Sequence, residues 1–98
     1  MMDMVMIVYN QAIDEEVLEL LGEVGIDRYT KWQRVLGKGE ASNPRLDTPV
    51  WPGANMVLGL VIKEKRRLQR LLKGLKKLDA EMGDKGLFAF RWPVERIV

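Results

Sequence analysis

The stretch Met56 to Gly83, which reads MVLGLVIKEKRRLQRLLKGLKKLDAEMG, combines the two patterns that decide the fold. Its first part, Met56 to Ile62, is a continuous apolar run, which is typical of a strand that is buried on both faces. The residues that follow are strongly charged, but apolar side chains recur among them on one helical stripe, and Gly83 is placed to end the helix. The members of that stripe are Leu68, Leu71, Leu72, Leu75, Leu78 and Met82. The stretch therefore predicts a strand that leads directly into an amphipathic helix.

The N-terminal part of the chain shows the same order of patterns. Met4 to Tyr9 is another continuous apolar run and predicts another buried strand. A helix is expected after it, with Asp14 as its N-cap and Gly25 as its C-terminal stop. Its apolar residues, at helical spacing, are Val17, Leu18, Leu20, Leu21 and Val24.

Two further strands complete the predicted fold. Arg28 to Leu36 is a half-polar strand, and Leu87 to Trp92 is a last strand, ended by Pro93 because proline cannot donate to a sheet ladder. The order is β-α-β-β-α-β, which with right-handed crossovers gives the α+β ferredoxin-like sandwich: four antiparallel strands with both helices on one face. Residues 1–98 are expected to form one domain, because a chain of this length builds a single core.

The predicted sheet has one face without helices. The first and third strands occupy its centre and are apolar at nearly every position, so one alternate set of their side chains points away from the helices. In the first strand that set is either Met4, Met6 and Val8 or Val5, Ile7 and Tyr9. A monomer would expose an apolar patch on the order of several hundred Å², which soluble monomers rarely do. The sheet face is therefore expected to be buried in an oligomer.

The composition excludes several kinds of chemistry. The chain has no cysteine, which removes disulfides and thiolate sites, and no histidine, the commonest general base and transition-metal ligand. Met4 and Met6 alternate within a strand, which favours packing over binding of Cu(I), and no metal site is expected. The first residues lack the basic segment of a signal peptide, and their apolar run is too short to span a membrane. We therefore expect a cytoplasmic protein without a membrane span.

A polar segment that is rich in glycine and proline, from Gly37 to Asn55, separates the two middle strands. Structureless segments longer than about 12–15 residues are uncommon in compact domains and are usually functional. Gly37 and Gly39 lie at its base, where backbone can approach a ligand closely. The segment is therefore the first place to look for function.

Several motifs, in a consistent order, resemble the PII signal-transduction superfamily. Asp14 to Thr30 is similar to the family's first helix and its exit, and Val35 to Gly39, VLGKG, resembles the start of its T-loop. Gly83 to Phe88, GDKGLF, is similar to a Gly-Asp-Gly-Lys-Ile-Phe phosphate-binding turn, and Pro93 to Ile97, PVERI, resembles a Pro-Val-Glu-x-Val close. The resemblance covers nearly the whole chain and implies a trimeric ferredoxin-like protein with a T-loop-like insertion at about residues 37–55.

The resemblance implies a regulatory protein. Small ferredoxin-like phosphatases use an arginine and an asparagine, but no spacing singles out such a pair among Arg28, Arg34, Asn43 and Asn55, so no enzyme is expected. Such a protein would bind a small anionic effector, with ATP, ADP or AMP expected, between the subunits of a homotrimer. It would act through residues 40–54 on a protein target such as a transporter or an enzyme, without a covalent cofactor. The implied ligand-binding residues are Gly37, Lys38 and Gly39 of one subunit with Gly83, Asp84, Lys85 and Gly86 of its neighbour.

The same residues also have structural interpretations. Gly83 to Gly86 would serve equally as a helix C-cap and a tight turn into a strand. Lys38 and Arg45 are candidate loop cations, although solvated loop charges are the commoner case. Trp51 is a candidate anchor for a partner, since Trp is enriched in binding hot spots, or it pins the loop against a neighbouring subunit, which the adjacent prolines favour.

The sequence departs from the family in ways that limit the analogy. Residues 37–55 contain no tyrosine, so the family's uridylylation site is missing, and Lys85 and Gly86 are exchanged relative to the family's turn. The paired arginines that typical members use on nucleotide phosphates do not follow Ile97. One alternative is therefore a structural oligomer with a degenerate ligand site.

The basic second helix suggests another alternative, which is binding of nucleic acid or an anionic surface. Lys63 to Lys77 carries many cations but no interleaved aromatics, and the formal net charge of the chain is only +2. The first helix is acidic and lies beside it in the predicted fold. A solvated helix face is therefore favoured over nucleic-acid binding.

Overall fold

The structure is a computed structural model, which describes residues 2–35, 55–82 and 86–98. The strands are β1 (Met2–Asn10), β2 (Thr30–Val35), β3 (Asn55–Ile62) and β4 (Leu87–Val94). The helices are α1 (Asp14–Val24), which a short 3-10 turn at Gln11–Ile13 precedes, and α2 (Lys65–Met82). This order agrees with the predicted β-α-β-β-α-β sequence of elements.

The four strands form one antiparallel sheet in the order β2-β3-β1-β4. The ferredoxin-like fold predicted from the sequence is thus confirmed, and β1 and β3 are the central strands as expected. The register pairs Asp3 with Ile62 and Asn10 with Asn55 between these two strands. Pairing over their whole length fixes which alternate residues share a face.

The core lies between one sheet face and the two helices. Val5, Ile7 and Tyr9 point into it from β1 and are fully buried. They pack against one apolar stripe from each helix. The alternate residues of the strands and the apolar stripes of α1 and α2 therefore form one common core. The other core residues include Val17, Leu21, Leu58, Leu60, Leu68, Leu71 and Leu75.

The two helices approach closely because Gly74 on α2 has no side chain. A Cβ added at Gly74 would lie 2.4 Å from Cδ1 of Leu20 on α1. Arg70 also links the pair, because its Nη2 donates to the carbonyl oxygen of Glu23 at 3.2 Å. That carbonyl belongs to the last turn of α1, where helix carbonyls lack partners within the helix.

Gly25 ends α1 as predicted. Its φ of 86° is left-handed, and its N–H donates to the carbonyl oxygens of Leu21 and Gly22. Only residues without a Cβ adopt this conformation at no steric cost, so the C-cap needs glycine.

Two boundary predictions were wrong. Asp14 is the first residue of α1 and not its N-cap, because the turn at Gln11–Ile13 runs straight into the helix and Asn10 caps that turn by accepting from the Ala12 N–H at 2.8 Å. Strand β4 does not end before Pro93 but continues to Val94. It is an edge strand, and there a residue without an N–H is tolerated on the outer side.

Strand β2 is shorter than predicted, at Thr30–Val35 instead of Arg28 to Leu36. Arg28 lies in the segment between α1 and β2, and Leu36 lies outside the described residues. Among the helices that the structure describes, none is long and apolar enough to cross a membrane.

Candidate functional site

One end of the sheet, the loop end, gathers the chain segments that border residues 36–54 and 83–85. It consists of Asn10, Val35, Asn55 and Gly86, with Asn55 paired to both Asn10 and Val35 in the strand register. The Asn10 N–H donates to the carbonyl oxygen of Gly86 at 3.2 Å. Gly86 has a φ of 71°, which explains glycine at this position. Gly86 is thus placed at the end of β1.

Most of the site residues implied by the resemblance lie outside the described ranges. Gly86 is the member of the set whose position is described. The others are Gly37, Lys38, Gly39, Gly83, Asp84, Lys85, Arg45 and Trp51. Their roles stay predictions.

Next to the loop end, three side chains from β1, α1 and β2 form a half-buried polar cluster. The Tyr9 hydroxyl donates to Asp14 Oδ1 at 2.5 Å, and Lys31 Nζ donates to Asp14 Oδ2 at 2.8 Å. Lys31 and Asp14 also form an ion pair whose side chains are only 17% and 22% exposed. Burial, and then the hydrogen bond to Asp14, raise the pKa of Tyr9 well above its ordinary value. The phenol therefore stays neutral and donates to the carboxylate.

Side-chain amides are concentrated at the loop end. Asn10, Gln11 and Asn55 are three of the six Asn and Gln residues of the chain. Asn10 and Asn55 are buried. Gln11 Oε1 is also buried, and it has no hydrogen-bond partner among the residues described. Buried acceptors in native proteins are nearly always satisfied, so this atom needs an explanation.

The opposite end of the sheet, the basic end, carries a pocket of about 750 Å³. Three cations and one carboxylate line it: Arg28 before β2, Lys63 after β3, and Glu95 and Arg96 after β4. Tyr29 lies beside them, and Val61 belongs to the apolar lining. Arg96 Nε donates to the carbonyl oxygen of Val98. A pocket with several cations and apolar lining suits an anionic ligand that has an apolar part.

The two ends lie far apart within one chain. Strands β1 and β3 run the whole way between them, and eight extended residues span roughly 25 Å. One small ligand therefore cannot contact both ends of the same chain.

The sheet face opposite the helices is open and apolar. Trp32 lies over Gly59, where an added Cβ would be 3.2 Å from Cζ3 of the indole. The exposed large hydrophobic residues of this face are Trp32, Val61, Phe88, Phe90 and Trp92. In the register, Phe88, Phe90 and Trp92 pair with Val8, Met6 and Met4. The predicted uncovered apolar face is confirmed, and Met4, Met6 and Val8 are the set that points away from the helices.

The outer face of α2 is basic and exposed, as its sequence suggested. Two of its cations make contacts within the fold: Arg67 pairs with Glu64 at 3.0 Å, and Arg70 donates to the Glu23 carbonyl. The other exposed cations of the helix are Lys65, Arg66, Lys73, Lys76 and Lys77.

Sequence reasoning missed the basic end and the polar cluster. The basic end had a signal, because Arg28, Lys63 and Arg96 each lie just outside a strand terminus. In the observed topology those termini meet at the same sheet end. The cluster had no local signal, because Tyr9, Asp14 and Lys31 come from three separate elements.

No known family profile matches the sequence, and no curated protein matches it. Several solved structures, in contrast, are similar to this one over most of its length. CPII, a nitrogen regulatory PII-like protein from Thiomonas intermedia K12 bound to ADP, AMP and bicarbonate, is 20% identical with a TM-score of 0.69, and the match covers 99% of this chain and 96% of that chain. CPII bound to ADP and bicarbonate has a TM-score of 0.71 at 20% identity, with 97% and 89% covered.

A candidate PII-like signalling protein from Thermus thermophilus is also similar. It is 21% identical with a TM-score of 0.58, and the match covers 93% of this chain and 83% of that chain. At these identities the likeness concerns the fold, and it extends over nearly the full length of each protein. The chain therefore has the PII-like fold that its motifs predicted.

Proposed function

We propose that this chain is a PII-like regulatory protein that binds an adenine nucleotide between the subunits of a homotrimer. Residues 40–54 then change their position and contact or release a protein target. One observation carries the proposal. Two polar surfaces, the loop end and the basic end, lie at opposite ends of an open apolar sheet face, so that two neighbouring subunits could bring them together around one ligand.

The open face supports the oligomer. Trp32, Phe90 and Trp92 are 51%, 54% and 42% exposed, and they lie on the same side of one sheet. Contiguous apolar patches of this kind on soluble proteins usually mark interaction surfaces. Closed cyclic symmetry would bury one copy of the face from each subunit.

The separation of the two ends supports a site between subunits. The cations of the basic end need a second wall to enclose a ligand, and the loop end of the same chain is roughly 25 Å away. In the proposed trimer the basic end of one subunit faces the loop end of the next. The resemblance implied Gly37 to Gly39 of one subunit and Gly83 to Gly86 of its neighbour. Because Val35 and Gly86 both border the loop end of one chain, we instead assign both segments to that second wall.

The chemistry of the basic end supports a nucleotide. Arg28 and Arg96 can each present a guanidinium fork to phosphate oxygens, and Lys63 adds a third cation. Three cations that can meet phosphate oxygens argue against the degenerate-site alternative. CPII, which shares the fold, is described bound to ADP, AMP and bicarbonate.

The proposal assigns no catalytic step to the protein. The polar cluster is held together by its own contacts, because Tyr9 and Lys31 both donate to Asp14. The output of the protein is therefore a binding event in which Arg45 and Trp51 are the proposed contacts of residues 40–54.

Calorimetric titration with ATP, ADP and AMP tests the nucleotide part. We expect saturable binding of at least one of them, with about one nucleotide per subunit, and a rise in melting temperature on binding. Light scattering on the same sample should give the mass of three chains. Absence of both heat and thermal shift with all three nucleotides would contradict the proposed effector, and a monomer would contradict the architecture.

A further inference from the structure

We propose that the outer side of α2 is a docking surface for an acidic polypeptide segment of another protein. The surface, which we call the cation stripe, consists of four exposed residues: Arg66, Arg70, Lys73 and Lys77. Their helical spacing places them on one line along α2, on the side away from its buried leucines. The stripe lies on the helix side of the sheet, so an oligomer formed through the opposite, apolar face leaves it accessible.

The first observation is energetic. The cations of the stripe repel one another, because residues three and four apart on a helix are neighbours. Lys65, Arg66 and Arg67 also occupy the first turn of α2, which contains no acidic residue, and the positive end of the helix dipole disfavours cations there. The first turn of α1, in contrast, carries three carboxylates. The charge of α2 therefore opposes the stability of its own helix, whereas the charge of α1 supports it.

The second observation is the distribution of negative charge along the chain. Within α2 the first acidic residue is Asp79, which follows the stripe. Three glutamates of α1 border the seam between the helices, where Lys77 also lies. Residues 36–54 and residues 83–85 each contain as many cations as carboxylates, so neither segment is acidic. We therefore expect a compensating acidic segment to come from another protein.

The surroundings of the stripe favour an acidic polypeptide over nucleic acid or a membrane. A helix that enters the major groove of DNA has a phosphate backbone on each side. Glu16, Glu19 and Glu23 border α2 on one side, so their carboxylates would face one of those backbones. The leucines of α2 are buried in the core, so they are not available to insert into a membrane. A narrow acidic segment can lie along the stripe without meeting these carboxylates.

Fluorescence anisotropy of labelled poly-L-glutamate, titrated with the full chain at low salt, tests the docking surface. The stripe variant, Arg66→Gln with Lys73→Gln, removes two cations and leaves the helix propensity nearly unchanged. We expect it to bind poly-L-glutamate more weakly than the wild type, by roughly fivefold or more. The control, Arg28→Gln with Lys63→Gln, removes the same charge from the basic end and should keep the wild-type affinity for this probe.

Thermal unfolding without the probe tests the energetic premise. The stripe variant should melt at a higher temperature than the wild type, by roughly 4 °C, because the repulsion within α2 is weaker. Added salt should reduce this difference, since it screens the repulsion in the wild type.

Four results would overturn the inference. The docking surface is wrong if the wild type does not bind poly-L-glutamate, or if the stripe variant and the control lose affinity equally, because net charge alone then explains the binding. Tighter binding of a DNA duplex of equal charge, lost in the stripe variant, would assign the stripe to nucleic acid. A lower melting temperature of the stripe variant would show that its cations stabilise the fold. None of these measurements involves a nucleotide, so the inference and the proposed function can fail separately.

Discussion

Asp14 connects three elements of the fold through one carboxylate. It begins α1, accepts a hydrogen bond from Tyr9 on β1 and pairs with Lys31 on β2. Strand β2 directly precedes residues 36–54, so this cluster helps to fix the strand that leads into them. The sequence alone led to a different role for Asp14, as a helix cap, because Asp before a helical stripe is the usual cap signal. Its actual partners are distant in sequence, and local patterns do not reveal them.

Tyr9→Phe should destabilise the protein at pH 7 by about 1.5–3 kcal/mol, because it deletes a hydrogen bond to a charged acceptor. The raised pKa of Tyr9 in the folded state gives the sign of the pH dependence. The unfolded chain loses the phenol proton near pH 10 while the folded chain keeps it, so this stabilisation is present below about pH 10 and is lost above it.

Urea unfolding at pH 8 and pH 11, at one fixed protein concentration, measures this effect. The free energy of unfolding should fall more between the two pH values for the wild type than for Tyr9→Phe. Tyr29→Phe, at an exposed tyrosine, is the matched control and should follow the wild type. Parallel pH dependence of the wild type and Tyr9→Phe would contradict the assignment.

At the scale of elements, the close contact between α1 and α2 depends on Leu20 and Gly74. Gly74 is unfavourable in the middle of a helix by about 1 kcal/mol relative to Ala, yet Leu20 occupies the space that a Cβ would need. The glycine therefore reflects close helix packing and not a helix break.

We expect the sign of the Gly74→Ala effect to depend on Leu20. Alone, Gly74→Ala should destabilise the protein, since overpacking costs about 1–3 kcal/mol and exceeds the gain in helix propensity. In a Leu20→Ala background the clash is absent, and the same change should stabilise the protein by up to about 1 kcal/mol. A double-mutant cycle by urea unfolding measures this coupling. Additive effects would show that the two side chains do not meet.

The order of the strands and helices was predictable from the sequence. The residues at which several of them begin or end were not. The apolar runs of β1 and β3 and the leucine stripe of α2 gave both the topology and the uncovered face. The extension of β4 through Pro93 was not predicted, because it depends on β4 being an edge strand. The candidate site was predicted only for the loop end, since the basic end exists only where three strand termini meet in space.

At the scale of the whole molecule, the proposed function depends on the two sheet ends and on the apolar face between them. The loop end has amides and a positive-φ glycine, and the basic end has Arg28, Lys63 and Arg96. In the proposal, each end supplies one wall of the ligand site. In the proposed trimer the nucleotide therefore binds in the subunit interface. A substitution that prevents trimer formation should also abolish nucleotide binding.

The most direct test asks whether the nucleotide site lies between subunits. It combines, in one trimer, two variants that each lack one wall of the site. The basic-end variant is Arg28→Glu with Lys63→Glu, and the loop-end variant is Lys38→Glu with Lys85→Glu. The two are co-expressed with different tags and purified through both, and ADP binding is measured by calorimetry. Neither variant alone should bind ADP.

In a mixed trimer, an intact loop end meets an intact basic end at one of the three interfaces. The account therefore predicts about one ADP per mixed trimer, compared with about three in the wild type. Mixed trimers that bind no ADP, although the wild type binds it, would place the site within a single subunit and contradict the account.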